Sequence, residues 1–222
     1  MTNTIPITQI TFVRHGDVHN PENLVYGRLP GFRLSEVGRQ QVAQTAQALA
    51  NRSLPAPDAI FASPQPRAQE SAQLIQVRFP ELEIVTDHLI DEIDVYFEGH
   101  PAEEVAERGW DLYTDVEPGY ETPTDIAARG ARFVANVRET HAGQHVLAVT
   151  HGDVIAFTIL KVMQEQVGIA FKRTLDRFGI DDVYPATASL TTLIYRTPRP
   201  NEIPDLVYTR PYDEDLVRPS LS

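Results

Sequence analysis

The tripeptide His-Gly-Asp occurs twice in this chain, at residues 15–17 and 151–153, and each copy closes an apolar run of strand composition. The first run is Ile10-Thr11-Phe12-Val13-Arg14, and the second is Val146-Leu147-Ala148-Val149-Thr150. Apolar runs of this length that stop at a glycine read as strands buried on both faces. Such strands belong to sheets covered by helices, and open sheets of that kind build their sites at the carboxyl ends of the strands. Two histidines in this setting place two imidazoles side by side over one sheet edge.

Strand-like and helix-like segments alternate along the rest of the chain, which predicts an α/β sheet covered by helices. Strands are expected at about 7–13, 59–62, 83–85 and 146–150, with a last strand at 189–195. Ser35 is a candidate N-cap for a helix that repeats Val42, Ala46 and Leu49 at helical spacing. Ala68, Ala72, Ile75 and Phe79 mark a second helix face, and Ile126, Gly130, Phe133 and Val137 a third, over about 124–140. Ile155, Ile159 and Val162 follow the second His-Gly-Asp in the same way. Residues 87–123 differ in character: Asp and Glu are dense, Arg108 is the sole Lys or Arg, and Tyr96, Trp110, Tyr113 and Tyr120 are interspersed. This stretch is expected as an insertion that roofs the site of a single domain spanning 1–222, with an irregular tail from about 197.

The chain has 222 residues, no cysteine and a formal net charge of −12. Thiol catalysis, disulfides and zinc–thiolate sites are thereby excluded, and the cytoplasm is the expected compartment. The acidic balance opposes binding to nucleic acid or to an anionic membrane. No apolar stretch approaches the ~18 residues of a membrane span, and Met1 to Pro6 lack the basic and apolar regions of a secretory signal. An anionic small substrate stays compatible, because a few arginines in a cleft dominate the local potential.

Arg14 beside His15 at a strand end suits a phosphoryl group: the neutral imidazole is a nucleophile and the guanidinium fork matches phosphate oxygens. Taken alone, the pair reads more readily as a capping Arg and a structural His that hydrogen-bonds the backbone. Arg67, in the first turn of the second helix, adds charge where a helix N-terminus already favours anions. His151 repeats the setting of His15. Asp153 heads a helix and reads as a cap. His15 and His19 have His-x-x-x-His spacing, but this converges on a metal only within a helix, which Gly16 and Pro21 oppose.

These ordered motifs resemble those of the histidine phosphatase superfamily, the phosphoglycerate-mutase-like group. They stand here as Arg14-His15-Gly16, Ser63-Pro64-Gln65-Pro66-Arg67-Ala68 and Val149-Thr150-His151-Gly152, with Leu34-Ser35-Glu36-Val37-Gly38 between the first two. The resemblance covers roughly residues 7–195. It implies a three-layer α/β/α sandwich with a mostly parallel central sheet, and chemistry without metal or cofactor.

By the same resemblance, His15 is the phosphoryl acceptor, and Arg14, Arg67 and His151 clamp the phosphoryl oxygens. Nearby arginines are expected to disfavour the imidazolium form of His15. Ile90-Asp91-Glu92, followed by Phe97-Glu98-Gly99, fits Glu92 as the acid that protonates the leaving group; counting from Leu89 selects Asp91 instead. Asn20 is the nearest candidate for a phosphate-contacting asparagine, one position earlier than the commonest spacing. Tyr26 and Arg28 of the Tyr26-Gly27-Arg28 loop, together with Gly152, complete the expected substrate-binding set. The implied activity is hydrolysis of a small phosphorylated metabolite through a phosphohistidine, with inorganic phosphate as product. Two alternatives are a mutase that returns the phosphoryl group to another hydroxyl and a phosphate-binding module without catalysis. The acidic 87–123 segment and the lack of a long basic segment for holding a bisphosphate favour the hydrolase.

Overall fold

The computed structural model describes residues 7–51, 56–212 and 214–216. Its first strand, β1 (Thr8–Arg14), lies near the middle of a six-stranded sheet. The other strands are β2 (Ala59–Ala62), β3 (Ile84–Thr86), β4 (His145–Thr150), β5 (Leu190–Tyr195) and β6 (Asp205–Thr209), in the order β3-β2-β4-β1-β5-β6. The pairings from β3 through β1 are parallel, whereas β5 runs antiparallel to both β1 and β6. The expected mostly parallel sheet is thus present, with an antiparallel margin.

Side chains alternate across each strand, so one strand feeds two cores. Ile10 and Phe12 of β1 join Val146 and Ala148 of β4 against α4 (Pro123–Thr140) and α5 (Gly152–Val162). Val13, Leu147 and Val149 face the other way, onto α1 (Glu36–Asn51) and α2 (Pro66–Gln76). The result is the expected three layers. Both helix pairs are locally specified. Ser35 Oγ accepts from Gly38 N at 3.0 Å and so caps α1. Thr122 and Asp125 form a reciprocal capping box before α4, with Pro123 in its first turn. Gly130 lets α4 approach α5 closely, since a Cβ there would lie 1.8 Å from Thr158 Oγ1.

Differences from the sequence reading lie at the margins. β5 is not the last strand: residues 205–209 leave the expected irregular tail and pair antiparallel with β5. Helix α2 ends at Gln76, and Phe79 packs into the core from the turn beyond it. The 87–123 segment contains a 3-10 turn at His88–Ile90 and the short α3 (Ala102–Glu107), and is otherwise irregular. The expectations for residues 1–6 and for the end of the tail at 217–222 lie outside the described residues. Among the described residues, no helix is long and apolar enough to cross a membrane.

The register fixes the site. Arg14 pairs with Thr150 at the last rung between β1 and β4, so the next residue of each strand is a histidine. His15 N donates to Thr150 O at 2.9 Å and holds the two strand ends together.

Candidate active site

The rings of His15 and His151 meet edge to face, with centroids 5.1 Å apart. Both are buried. His15 Nδ1 lies 2.8 Å from the carbonyl oxygen of Gly16, an oxygen that only accepts. The proton therefore sits on Nδ1, and Nε2 keeps its lone pair for the cavity. Burial, then the charges of Arg67, His151 and Arg14, hold His15 well below the usual histidine range. The expected effect of the arginines is present, but burial exceeds it. Gly16 is required by packing: a Cβ there would lie 2.5 Å from the carbonyl oxygen of Gly38 in α1.

Arg67 is fully buried in the first turn of α2. Its Nη2 donates to Glu92 Oε2 at 2.8 Å and to the Gly27 carbonyl at 2.7 Å, while the Tyr26 ring lies 4.6 Å from its guanidinium carbon. Arg14 Nη1 donates to the Pro185 carbonyl at 2.8 Å, and the Tyr184 ring lies 5.3 Å from its guanidinium. Three further guanidinium nitrogens, Arg14 Nε and Arg67 Nε and Nη1, are buried with no partner among the described residues. Buried charged donors left open are costly. They mark a place prepared for an anion.

The neighbouring carboxylates Asp91 and Glu92 separate cleanly. Asp91 Oδ1 accepts from Gln65 Nε2 at 2.8 Å, Ser63 Oγ at 3.2 Å and its neighbour's amide at 2.7 Å. Glu92 instead lines the cavity and sets Oε2 3.0 Å from His151 Nδ1. Burial alone would raise Glu92, yet His151 and Arg67 beside it hold the carboxyl well below its usual range. The far nitrogen of His151, Nε2, lies 2.7 Å from Ser63 Oγ. Asp91 thus holds Ser63, which contacts His151 at Nε2, whereas Glu92 contacts His151 at Nδ1 and lines the cavity.

The same shifts give a stability prediction. His15 and His151 have lowered proton affinity in the folded state, so below about pH 6.5 the unfolded chain takes up protons that the fold excludes. Stability present above that pH is lost on acidification, by up to about 1.4 kcal/mol per pH unit for each group. Glu92 extends the loss below about pH 4.5, because its own folded value is depressed. Thermal unfolding should show a lower midpoint at pH 5.5 than at pH 7.5; a level profile would contradict these shifts.

A cavity of about 1110 Å³ opens over Arg14, His15 and Glu92; Arg67 and His151 are fully buried beside them and do not line it. Tyr26, Asn20, Trp110, Leu112 and Gly152 line it as well. Two expected substrate contacts are engaged elsewhere. The Asn20 side chain lies at the wall but exchanges hydrogen bonds with both backbone groups of Leu24, at 2.9 and 3.1 Å. Arg28 does not line the cavity: the acidic insertion captures it, through Glu121 at 3.0 Å and the Glu92 carbonyl at 2.8 Å. His19 is exposed, and the ligand-type cluster around His15 is formed with Glu92 and His151.

Asp153 also departs from expectation. The N-cap of α5 is His151, not Asp153. The Asp153 carboxylate is buried and accepts from Tyr113 Oη at 2.6 Å, Tyr184 Oη at 2.7 Å and Lys172 Nζ at 2.9 Å. Sequence reasoning missed Tyr184 and Lys172 altogether, because neither stands in a motif or a periodic segment.

Among the described residues, one cluster has metal-ligand chemistry: ligand atoms of His15, Glu92 and His151 lie within 4.8 Å of one another. Arg67 already occupies Glu92 Oε2, and its open donors and those of Arg14 repel a cation. The donor set suits a phosphoryl group better than a metal ion.

A family model, the histidine phosphatase superfamily (branch 1), matches residues 10–194. An uncharacterized protein of Mycobacterium tuberculosis is 37% identical over 211 residues, covering 92% of this chain and 96% of its own. A metal-independent phosphoserine phosphatase of Arabidopsis thaliana is 27% identical over 170 residues, 71% of this chain and 70% of its own. Among solved structures, a mycobacterial glucosyl-3-phosphoglycerate phosphatase superposes with a TM-score of 0.70 at 23% identity, covering 91% of this chain and 97% of that one. The match runs from β1 to β5 and takes in both histidine-bearing strand ends, so the chain belongs to the histidine phosphatase superfamily.

Proposed function

We propose that this chain hydrolyses small phosphomonoesters through a phosphohistidine at His15, without a metal. The observation that carries this reading is the set of three buried, partnerless guanidinium nitrogens around a histidine whose Nε2 bears a free lone pair. A tetrahedral phosphoryl group supplies acceptors for all three, and phosphoryl transfer is mainly a matter of position and charge.

In the first step His15 Nε2 attacks phosphorus and the bond to the alcohol oxygen breaks. Arg14, Arg67 and His151 hold the equatorial oxygens as charge spreads over them. Glu92 gives the departing oxygen a proton, and then takes one from the water that attacks phospho-His15, releasing inorganic phosphate and restoring the free histidine. In the free protein Glu92 is ionised. A bound phosphoryl group brings negative charge to Glu92 and competes for Arg67 and His151, so substrate itself raises the proton affinity of the acid.

Hydrolysis is favoured over mutase chemistry by the acidic composition of the 87–123 segment, of whose acids Glu92 lines the cavity. Relatives named as phosphatases support the same direction. The cavity volume suits a metabolite-sized leaving group. The test is phosphate release from a panel of phosphomonoesters, with and without a chelator. Release that a chelator leaves unchanged is expected; strict dependence on an added divalent ion would overturn the metal-free mechanism.

A further inference from the structure

The aspartate after the second histidine has no part in the chemistry described so far, yet its buried carboxylate accepts three side-chain hydrogen bonds beside the cavity. We propose that Asp153 is a positioning residue that sets Arg14 and the cavity roof from a single point, by accepting hydrogen bonds from Tyr184, Tyr113 and Lys172. The inference rests on the reading of Arg14 as a phosphate clamp.

One branch runs to Arg14. Tyr184 donates to Asp153 Oδ1 and stacks against the Arg14 guanidinium, and the next residue, Pro185, accepts from Arg14 Nη1. Residues 184 and 185 therefore hold Arg14 by its face and by one edge, leaving Nε open. Gly152 makes room for this branch, since a Cβ there would lie 2.2 Å from Tyr184 Oη. The second His-Gly-Asp thus divides its roles by residue. His151 faces the phosphoryl site, Gly152 leaves space for Tyr184, and Asp153 anchors that tyrosine.

The other branch runs to the roof. Tyr113 and Lys172 both reach Asp153 Oδ2, and Lys172 Nζ also donates to the Trp110 carbonyl at 3.1 Å. Trp110 and Val183 both have φ near +60°, in the left-handed region. Bulky and β-branched residues persist there only when their surroundings over-determine the backbone. Each lies in one of the irregular segments tied to Asp153, Trp110 with its carbonyl on Lys172 and Val183 next to Tyr184. The first aspartate, Asp17, is placed differently: its carboxylate accepts from Ser35 Oγ at the head of α1.

Tyr184→Phe and Tyr113→Phe cut one branch each while keeping the ring, and Asp153→Asn weakens both. With inorganic phosphate as calorimetric probe, Tyr184→Phe and Asp153→Asn should bind about tenfold more weakly, the scale of one hydrogen bond to a charged group. Tyr184→Phe should also lower kcat on p-nitrophenyl phosphate and on larger esters alike. Tyr113→Phe should keep phosphate affinity and kcat, raise KM for larger leaving groups only, and speed amide exchange at 110–113. If both tyrosine variants match wild type within about twofold in affinity, kcat and KM, and Asp153→Asn only unfolds earlier, Asp153 merely stabilises the fold and the proposal is wrong. A wild type that binds phosphate without turnover defeats the hydrolase reading, yet the affinity and exchange results still decide the role of Asp153. A wild type that binds no phosphate overturns both.

Discussion

Replacing His15 by alanine should abolish turnover of every phosphomonoester, by about 10⁴-fold or more, while leaving inorganic phosphate bound. The two halves of this expectation come from different residues. Among the described residues, the lone pair of His15 Nε2 is the nucleophile left open beside the guanidinium groups, because His151 Nε2 is engaged by Ser63 and its Nδ1 faces Glu92. The open donors on Arg14 and Arg67, by contrast, survive the substitution. Acid-labile phosphate trapped from labelled substrate should appear on wild type and vanish in His15→Ala. A variant that binds phosphate and keeps turning over would place the nucleophile elsewhere. If wild type itself binds phosphate but never becomes labelled or releases product, the chain is a binding module of the same fold.

The parts of this arrangement that were legible in advance share one property: they depend on local sequence or on strand ends. Buried strands announce themselves as apolar runs, and a residue that follows such a run is bound to emerge at the sheet edge. Arg14, His15 and His151 needed nothing more, and Arg67 followed from a helix start after β2. What stayed hidden depends on which distant segment folds over that edge. Asp153 draws its partners from Tyr113, Lys172 and Tyr184, none of which has a periodic setting. Arg28 was misplaced because sequence shows a basic residue near the site but not the Glu121 carboxylate, 3.0 Å away, that claims it. β6 was obscured by Pro204 and Pro211 on either side of a short run, although Leu206, Val207 and Tyr208 have strand composition.

Asp91 and Glu92 have different side-chain partners, which their adjacent places in the sequence do not reveal; the proposal that Glu92 is the acid carries the second large effect. Glu92→Gln should slow hydrolysis of alkyl phosphates by about 10²–10⁴-fold, the usual scale of general acid–base catalysis. With p-nitrophenyl phosphate the leaving phenolate needs little protonation, so the first step should be nearly spared. The second step still needs a base for water, so phospho-His15 should accumulate: a burst of nitrophenol followed by slow turnover, with labelled enzyme at steady state. The variant keeps the shape of Glu92 and one acceptor for Arg67, which isolates the proton from the contact at 2.8 Å. Asp91→Asn should leave the burst absent and weaken catalysis only through Ser63 and His151, by a smaller factor. If Asp91→Asn rather than Glu92→Gln produces the burst, the assignment of acid and orienting group is reversed. The pH profile supplies an independent check. Glu92 is ionised and His15 neutral in the free site, so the proton needed by the leaving group enters with the substrate. For alkyl esters kcat/KM should therefore fall as pH rises past the second ionisation of the phosphate, about 6, and Glu92→Gln should flatten that limb.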